Sequence, residues 1–195
     1  MNTTEIMQKF GEDSKLAFIF RHGIKTPDNH ITPECLADIK VNGIPGAGTN
    51  INVIHEGSDF IRTKETVKAL EYWLIKNGAS ITNRFGSSEA LGNEGIFNFY
   101  TDEIQAKMKA NNLGNYETLV RYGVSTLMNW ENDLTFFLNG LFQDLAPGDV
   151  CAVPCHTPTV EAIYNIYAND LKMTVKELEG IFLIQDPRGN FYVIR

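Results

Sequence analysis

A basic tripeptide, Arg21-His22-Gly23, directly follows the apolar segment 16–20. Five consecutive apolar residues, rich in Phe and Ile, predict a strand that is buried on both faces of a sheet. In open α/β sheets, ligands bind just beyond the carboxyl ends of the strands. The sequence therefore places a guanidinium and an imidazole at the edge of the sheet where chemistry is usually done.

Two later segments repeat this arrangement. Residues 50–54 predict a second strand, which leads into a helix with Arg62 in its first turn, and residues 149–153 predict a buried strand that ends at His156. Arginine binds phosphoryl oxygens with paired hydrogen bonds and keeps its charge, whereas a neutral imidazole is a competent nucleophile at phosphorus. Helices that begin near Arg62 and His156 add positive potential for an anion. Two arginines and two histidines at one edge of the sheet therefore indicate phosphoryl transfer.

Strands and helices alternate along most of the chain, and this order predicts an α/β fold with a mainly parallel sheet and helices on both faces. Helices are expected at 3–10, from Thr32-Pro33 to about Asp38, over an apolar stripe at 66–74, near 102–109, over 122–145 and from Thr159. The segment 79–85 predicts a weaker strand, and the segments 181–184 and 191–194 predict a hairpin. Residues 86–130 are expected to form an excursion over the active-site edge within one domain, 1–195.

The segments that carry these residues resemble the histidine phosphatase superfamily, which includes phosphoglycerate mutases and histidine acid phosphatases. The matching motifs are Phe18-Ile-Phe-Arg21-His22-Gly23, Ser58-Asp59-x-x-Arg62-Thr63-x-x-Thr66, and Val153-x-x-His156 before a helix. Their order and spacing match over residues 16 to about 167. The resemblance implies a three-layer α/β/α sandwich of the phosphoglycerate mutase type.

The resemblance also implies a role for each matched residue. His22 would be the nucleophile that becomes phosphorylated, Arg21 and Arg62 would hold the phosphoryl oxygens, and His156 would donate a hydrogen bond to the same group. Phosphoryl transfer depends mainly on positioning and on charge stabilisation, which a pocket of cations supplies.

Two further residues follow from details of the motifs. Lys25 stands where the acid-phosphatase version has an arginine, so we expect it to contact the phosphate, whereas Ile24 replaces the Glu or Gln of the mutase branch. A general acid is needed for a basic leaving group, and the mutase branch carries it in the loop after the third strand. In this chain that loop offers Glu89 and Glu94, of which Glu94, flanked by glycines, is preferred.

Composition limits the partners. The net charge of the 195 residues is −7, which argues against nucleic acid because phosphate-backbone binding needs a clustered basic surface. No segment is apolar enough to span a membrane, and no secretory signal is visible at the N-terminus, so a cytoplasmic location is expected. The three cysteines predict buried, inert thiols. We expect no cofactor and no metal site, and His55 is interpreted as structural.

The sequence therefore predicts a phosphomonoester hydrolase that works through a phosphohistidine at His22. The alternatives are a phosphotransferase of the mutase kind and a catalytically weak relative that binds a phosphorylated ligand. The partner would be a phosphorylated small molecule or a phosphoprotein. The sequence leaves the substrate and the oligomeric state open.

Overall fold

A computed structural model of the chain describes residues 2–92 and 94–195, without the side chains of Glu94 and of residues 124–126. Its strands are β1 (Lys15–Arg21), β2 (Val53–His55), β3 (Asn83–Phe85), β4 (Val150–Cys155), β5 (Gly180–Gln185) and β6 (Phe191–Ile194). They form one sheet in the order β3-β2-β4-β1-β5-β6. The pairs among β3, β2, β4 and β1 are parallel, whereas β5 and β6 pair antiparallel. The prediction of a mainly parallel sheet is confirmed.

The helices are α1 (Thr3–Phe10), α2 (Pro33–Asn42), α3 (Ile61–Lys76), α4 (Glu94–Phe99), α5 (Asp102–Asn111), α6 (Asn115–Tyr122), α7 (Val124–Asp144) and α8 (Thr157–Ala168). They cover the two faces of the sheet in two groups. One apolar cluster includes residues of α1, α2 and α3, and the other includes residues of α6, α7 and α8. The three-layer α/β/α sandwich is therefore confirmed.

Strand β1 shows why the sheet needs both layers. Ala17 and Ile19 belong to one apolar cluster, whereas Leu16, Phe18 and Phe20 belong to the other. Side chains alternate between the faces of a strand, so an uninterrupted apolar strand must be covered on both sides. Strand β1 is also hydrogen-bonded to a neighbouring strand on each edge, so its carboxyl end is held rigidly. His22 is the next residue after this end.

Several predicted boundaries differ from the structure; helix α2, for example, continues four residues beyond its predicted end, to Asn42. Strand β2 begins at Val53 because Asn52 uses its side chain to accept from the Val150 N–H at 2.8 Å. The edge strand β3 covers only Asn83–Phe85 of the predicted segment 79–85. Helix α8 begins two residues earlier than predicted, at Thr157. Pro158 is compatible with this start, because the N–H groups of the first turn have no partner within the helix and proline lacks only that N–H.

The predicted excursion after β3 is helical. A short 3₁₀ helix (Glu89–Leu91) precedes α4, α5 and α6. Two side chains attach its start to the rest of the molecule: Trp130 Nε1 donates to the Ala90 carbonyl at 2.8 Å, and Thr159 Oγ1 donates to the Leu91 carbonyl at 3.0 Å. These bonds fix the segment beside the carboxyl ends of β2 and β4.

In the described part of the chain, no helix combines the length and apolarity that crossing a membrane requires.

Candidate active site

His22 lies at the carboxyl end of β1 and is 5% exposed. Its backbone N–H donates to the Cys155 carbonyl at 3.0 Å, which continues the pairing of β1 with β4. Its Nδ1 donates to the Gly23 carbonyl at 2.7 Å, so the lone pair of the neutral ring is on Nε2. Burial, assisted by the neighbouring cations, lowers the pKa of His22 to about 3. The ring is therefore a neutral imidazole with a defined tautomer at physiological pH.

The turn after His22 is fixed by α3. The Gly23 N–H donates to Thr66 Oγ1 at 3.1 Å, and this hydroxyl donates in turn to the Arg62 carbonyl at 2.7 Å. A side chain at residue 23 would press on Cys35 Sγ, because a Cβ there would lie 2.6 Å from the sulfur. The hydrogen bond between Gly23 and Thr66 thus joins the first motif to the second and fixes the position of His22 relative to α3.

Arg62 joins the two histidines. Its Nε donates to His22 Nε2 at 3.1 Å, and its Nη2 lies 3.4 Å from His156 Nδ1. Arg62 is 5% exposed, and burial together with the charge of Arg21 lowers its pKa to about 10. The guanidinium therefore stays protonated at neutral pH, and its long bond to His156 leaves it available to an anion.

His156 follows β4 and is 2% exposed. The centre of its ring lies 5.0 Å from that of His22, with the planes at 70°. Its Nε2 donates to Ser58 Oγ at 2.8 Å, so Nδ1 carries the lone pair and faces Arg62. Burial, with His22 and Arg62 nearby, lowers the pKa of His156 well below its usual value.

Ser58 and Thr63 complete this chain of hydrogen bonds. The Ser58 and Thr63 hydroxyls are 3.2 Å apart, and Thr63 Oγ1 donates to the Phe60 carbonyl at 2.6 Å. Ser58 is therefore the donor to Thr63 and the acceptor for His156. We call His22, Arg62, His156 and Ser58 the histidine pocket.

Two phenylalanines, Phe60 and Phe97, enclose the histidine pocket. The centres of the Phe60 and Phe97 rings lie 5.2 and 4.7 Å from that of His156, both edge-to-face. The Arg62 guanidinium carbon lies 4.4 Å from the centre of the Phe60 ring. Gly92 lets the excursion pass this close, since a Cβ there would collide with the His156 ring. Stacked aromatic rings favour a buried guanidinium and hold it in place.

Arg21 has the same strand-end position but a different set of partners. Its Nη2 pairs with Glu177 Oε1 at 2.7 Å, and its Nη1 donates to the Val175 carbonyl at 3.3 Å. Its Nε is buried and has no hydrogen-bond partner among the described residues. The positive charge of Arg21 lowers the pKa values of His22 and His156. Nε is therefore the donor through which Arg21 would serve an anion.

Lys25 reaches the pocket through Asn29, a residue that the sequence analysis missed. Lys25 Nζ donates to Asn29 Oδ1 at 3.0 Å, and Arg62 Nη1 lies 3.4 Å from the same oxygen. Asn29 has a φ of 69°, a left-handed conformation that asparagine tolerates well. The Pro27-Asp28-Asn29 turn was the available signal, since these are typical turn residues. The phosphate contact of Lys25 stays a prediction.

The general acid also stays a prediction. Residue 94 begins α4, which places it in the excursion beside the histidine pocket, but its side chain lies outside the described part of the structure. The alternative, Glu89, is exposed in the 3₁₀ helix.

Glu161 is a buried carboxyl group that the sequence analysis missed. It lies on α8, is 2% exposed, and its Oε2 accepts from the Tyr116 N–H at 2.8 Å. This bond caps the N-terminus of α6, where Gly114 provides no side-chain acceptor. Burial raises the pKa of Glu161 to about 7. The available signal was a glutamate inside the apolar stripe of α8, between Val160 and Ile163.

Comparison with known proteins identifies the fold. No protein-family model and no curated protein matches the sequence. Among solved structures, phosphoglycerate mutase from Bacillus anthracis superposes with a TM-score of 0.57 at 13% identity, covering 94% of this chain and 93% of that protein. A protein from Escherichia coli K-12, provisionally assigned as an alpha-ribazole-5'-P phosphatase, superposes with a TM-score of 0.53 at 10% identity, covering 92% and 95%. The chain therefore has the phosphoglycerate mutase-like fold, and its resemblance to the histidine phosphatase superfamily is confirmed at the level of the fold.

Proposed function

We propose that this chain is a phosphomonoester hydrolase that works through a phosphohistidine on His22. The observation that carries the proposal is the tautomer of His22, whose Nδ1–H is held by the Gly23 carbonyl while its Nε2 meets Arg62 Nε. The lone pair that must attack phosphorus is thus on the nitrogen that faces the cation that would bind the phosphoryl group. A purely structural histidine has no need of that arrangement.

In the first step, Nε2 of His22 attacks phosphorus, the N–P bond forms and the P–O bond to the leaving group breaks. Arg62 Nε, which donates to His22 Nε2, is expected to turn to a phosphoryl oxygen, with Arg21 Nε and Lys25 as further donors. The leaving oxygen takes a proton from a carboxylic acid, for which Glu94 is the candidate. The cations stabilise the charge on the equatorial oxygens.

His156 would act on the same phosphoryl group. Its Nδ1 faces Arg62, and its Nε2–H is held by Ser58. Burial, with His22 and the nearby cations, lowers its pKa, but a bound phosphate dianion favours the protonated ring. Protonated at Nδ1, His156 would donate a hydrogen bond to a phosphoryl oxygen.

In the second step, water attacks phosphorus, the N–P bond breaks and His22 is restored. The carboxylate left by the first step accepts the proton of that water, and inorganic phosphate leaves. A mutase would differ only here, because a second hydroxyl of the substrate would replace water. We propose a phosphorylated small molecule or a phosphoprotein as the substrate.

The test is to trap the phosphoenzyme with p-nitrophenyl phosphate in wild type, His22→Ala and Glu94→Gln. Wild type should give a phosphoenzyme that is labile in acid and stable in base, His22→Ala should give none, and Glu94→Gln should accumulate it. The release of inorganic phosphate distinguishes a hydrolase from a mutase. If wild type gives neither phosphoenzyme nor turnover between pH 4 and 8, while phosphate still binds, the chain is a binding protein and the proposal is wrong.

A further inference from the structure

A cavity outside the histidine pocket lies on the α7 side of the sheet. It has a volume of about 470 Å³ and lies between α7 and the carboxyl ends of β2 and β3. We call it the β3–α7 cavity. The lining residues that matter here are His55, Phe85, Ser88, Asp133, Phe137 and Asp144.

His55 supplies an unused hydrogen-bond donor to this cavity. The side chain is 4% exposed, and its Nδ1 accepts from the Gly57 N–H at 2.9 Å. Burial lowers the pKa of His55 to about 4, so the ring is neutral and its hydrogen is on Nε2. Among the described residues Nε2 has no partner, and the ring forms part of the cavity wall. The Nε2–H is therefore free to donate to an acceptor on a molecule bound in the cavity.

The remaining walls are apolar and acidic. The Phe137 ring packs edge-to-face on His55 with a centre-to-centre distance of 5.1 Å, and the Phe85 ring, whose centre lies 6.4 Å from that of His55, also lines the cavity. Asp133 and Asp144 are eleven residues apart on α7, which places them on one face of the helix about 16 Å apart. None of the described residues that line the cavity is Lys or Arg. The cavity therefore favours a cation and disfavours the phosphorylated substrate.

Gly140 keeps the cavity open. It lies in the interior of α7, where glycine is a poor helix former, and a Cβ there would meet no described atom within 4 Å. Packing against the rest of the chain therefore does not explain a glycine at this position.

The cavity also shares a wall with the histidine pocket. The Ser88 N–H donates to the Gly57 carbonyl at 2.8 Å, and the next residue, Ser58, accepts from His156 Nε2 at 2.8 Å. A molecule in the β3–α7 cavity would thus contact Ser88, which is hydrogen-bonded to the residue before Ser58.

We propose that the β3–α7 cavity binds a small organic cation with an aromatic body and a hydrogen-bond acceptor. The acceptor bonds to His55 Nε2–H, the body packs between Phe85 and Phe137, and the ammonium group lies by Asp133 or Asp144. This proposal is independent of the activity at His22.

The test is a calorimetric titration of the purified chain with tyramine, which has all three features. The charge-reversed analogue 3-(4-hydroxyphenyl)propionate is the matched control. We expect one saturable site for tyramine and binding about tenfold or more weaker for the anion. Equal binding of the two compounds, or no saturable binding of tyramine, would overturn the proposal.

Two variants locate the site. Gly140→Leu places a large side chain in the cavity and has a higher helix propensity than glycine. Asn139→Leu, on the exposed side of α7, is its control. Gly140→Leu should abolish tyramine binding, whereas Asn139→Leu should retain it. Retained binding in Gly140→Leu would place tyramine elsewhere. A wild-type dimer that Gly140→Leu converts to a monomer, seen by light scattering, would show that a second copy fills the cavity and would also overturn the proposal.

Discussion

The histidine pocket and Glu161 are both buried and titratable, but burial gives them different uses. In the pocket, burial lowers the pKa values of His22 and His156. At Glu161, burial raises the pKa to about 7. Both environments favour the neutral form, because a charge is costly to bury. A neutral imidazole that faces a guanidinium is suited to nucleophilic attack, the role proposed for His22, whereas a carboxyl group that faces the N–H groups of α6 is a structural cap. What faces a buried group therefore decides which use its neutral form can serve.

The largest effect is expected at the proposed nucleophile. His22→Ala should lower turnover of p-nitrophenyl phosphate by at least about a thousandfold, because the variant lacks the nitrogen proposed to form the N–P bond. His30→Ala is the control, since His30 is an exposed histidine that pairs with Glu65. Steady-state kinetics on both variants tests the assignment, and a loss within tenfold for His22→Ala would contradict it.

The next effect concerns the cation that joins the two histidines. Arg62→Lys should lower kcat/KM by about 100- to 1000-fold, because a lysine cannot meet His22, His156 and a phosphoryl oxygen at once. Arg121→Lys, which changes an exposed ion pair on α6, should stay near wild type. If Arg62→Lys retained more than a tenth of the activity, a single positive charge would suffice in the pocket.

A third prediction uses the opposite signs of the two pKa shifts. The pKa of Glu161 is raised, so its contribution to stability is complete below pH 4.5 and is lost as the pH rises through about 7. The pKa of His22 is lowered, so its contribution is present above pH 6.5 and is lost as the pH falls towards 3. Over the acidic range the two groups therefore oppose each other.

Glu161→Gln should remove the pH-dependent contribution of Glu161 to the free energy of unfolding. The difference between pKa 4.5 and about 7 corresponds to about 3 kcal/mol of unfolding free energy. The variant should gain up to that amount between pH 5 and 8 relative to wild type, measured by urea unfolding at each pH. Glu103→Gln, at an exposed carboxylate, is the control. Parallel curves for wild type and Glu161→Gln would show that Glu161 titrates like an exposed carboxyl group.

The smallest effect is expected at the serine behind His156. Ser58→Ala removes the acceptor of the His156 Nε2–H and should lower kcat by about tenfold, as loss of an orienting partner usually does. Nitrogen-15 shifts of His156 should show a mixture of tautomers, and Ser58→Thr should restore one tautomer and most of the activity. An unchanged tautomer in Ser58→Ala would show that Arg62 alone orients the ring.

The sequence predicted the parts of the molecule whose structure depends on local pattern. The apolar run of β1, the Thr32 cap of α2 and the motifs around Arg62 and His156 are read within a few residues, and these segments form the confirmed fold. The partners of Arg21 could not be predicted in this way. Glu177 lies far along the chain from Arg21, and no periodicity connects them.

The contacts of Glu161 and Phe97 could not be predicted for a related reason. The role of Glu161 depends on Gly114 having no side chain to cap α6, and that of Phe97 depends on the path of the excursion over His156. Such contacts join elements that are packed against each other only in the folded chain. A pattern within one element carries no information on them.

The pairing of β1 has a consequence for the order of synthesis. Leu16 pairs with Val150 on one edge and with Ile184 on the other. At typical translation rates, β4 and β5 are therefore synthesised on the order of ten seconds after β1, and the apolar strand stays unpaired on the nascent chain during that time. A chain cut short before β4 would contain His22 but lack His156. Until β4 and β5 are synthesised, the apolar β1 stays exposed to aggregation, and the histidine pocket forms only once β4 is in place.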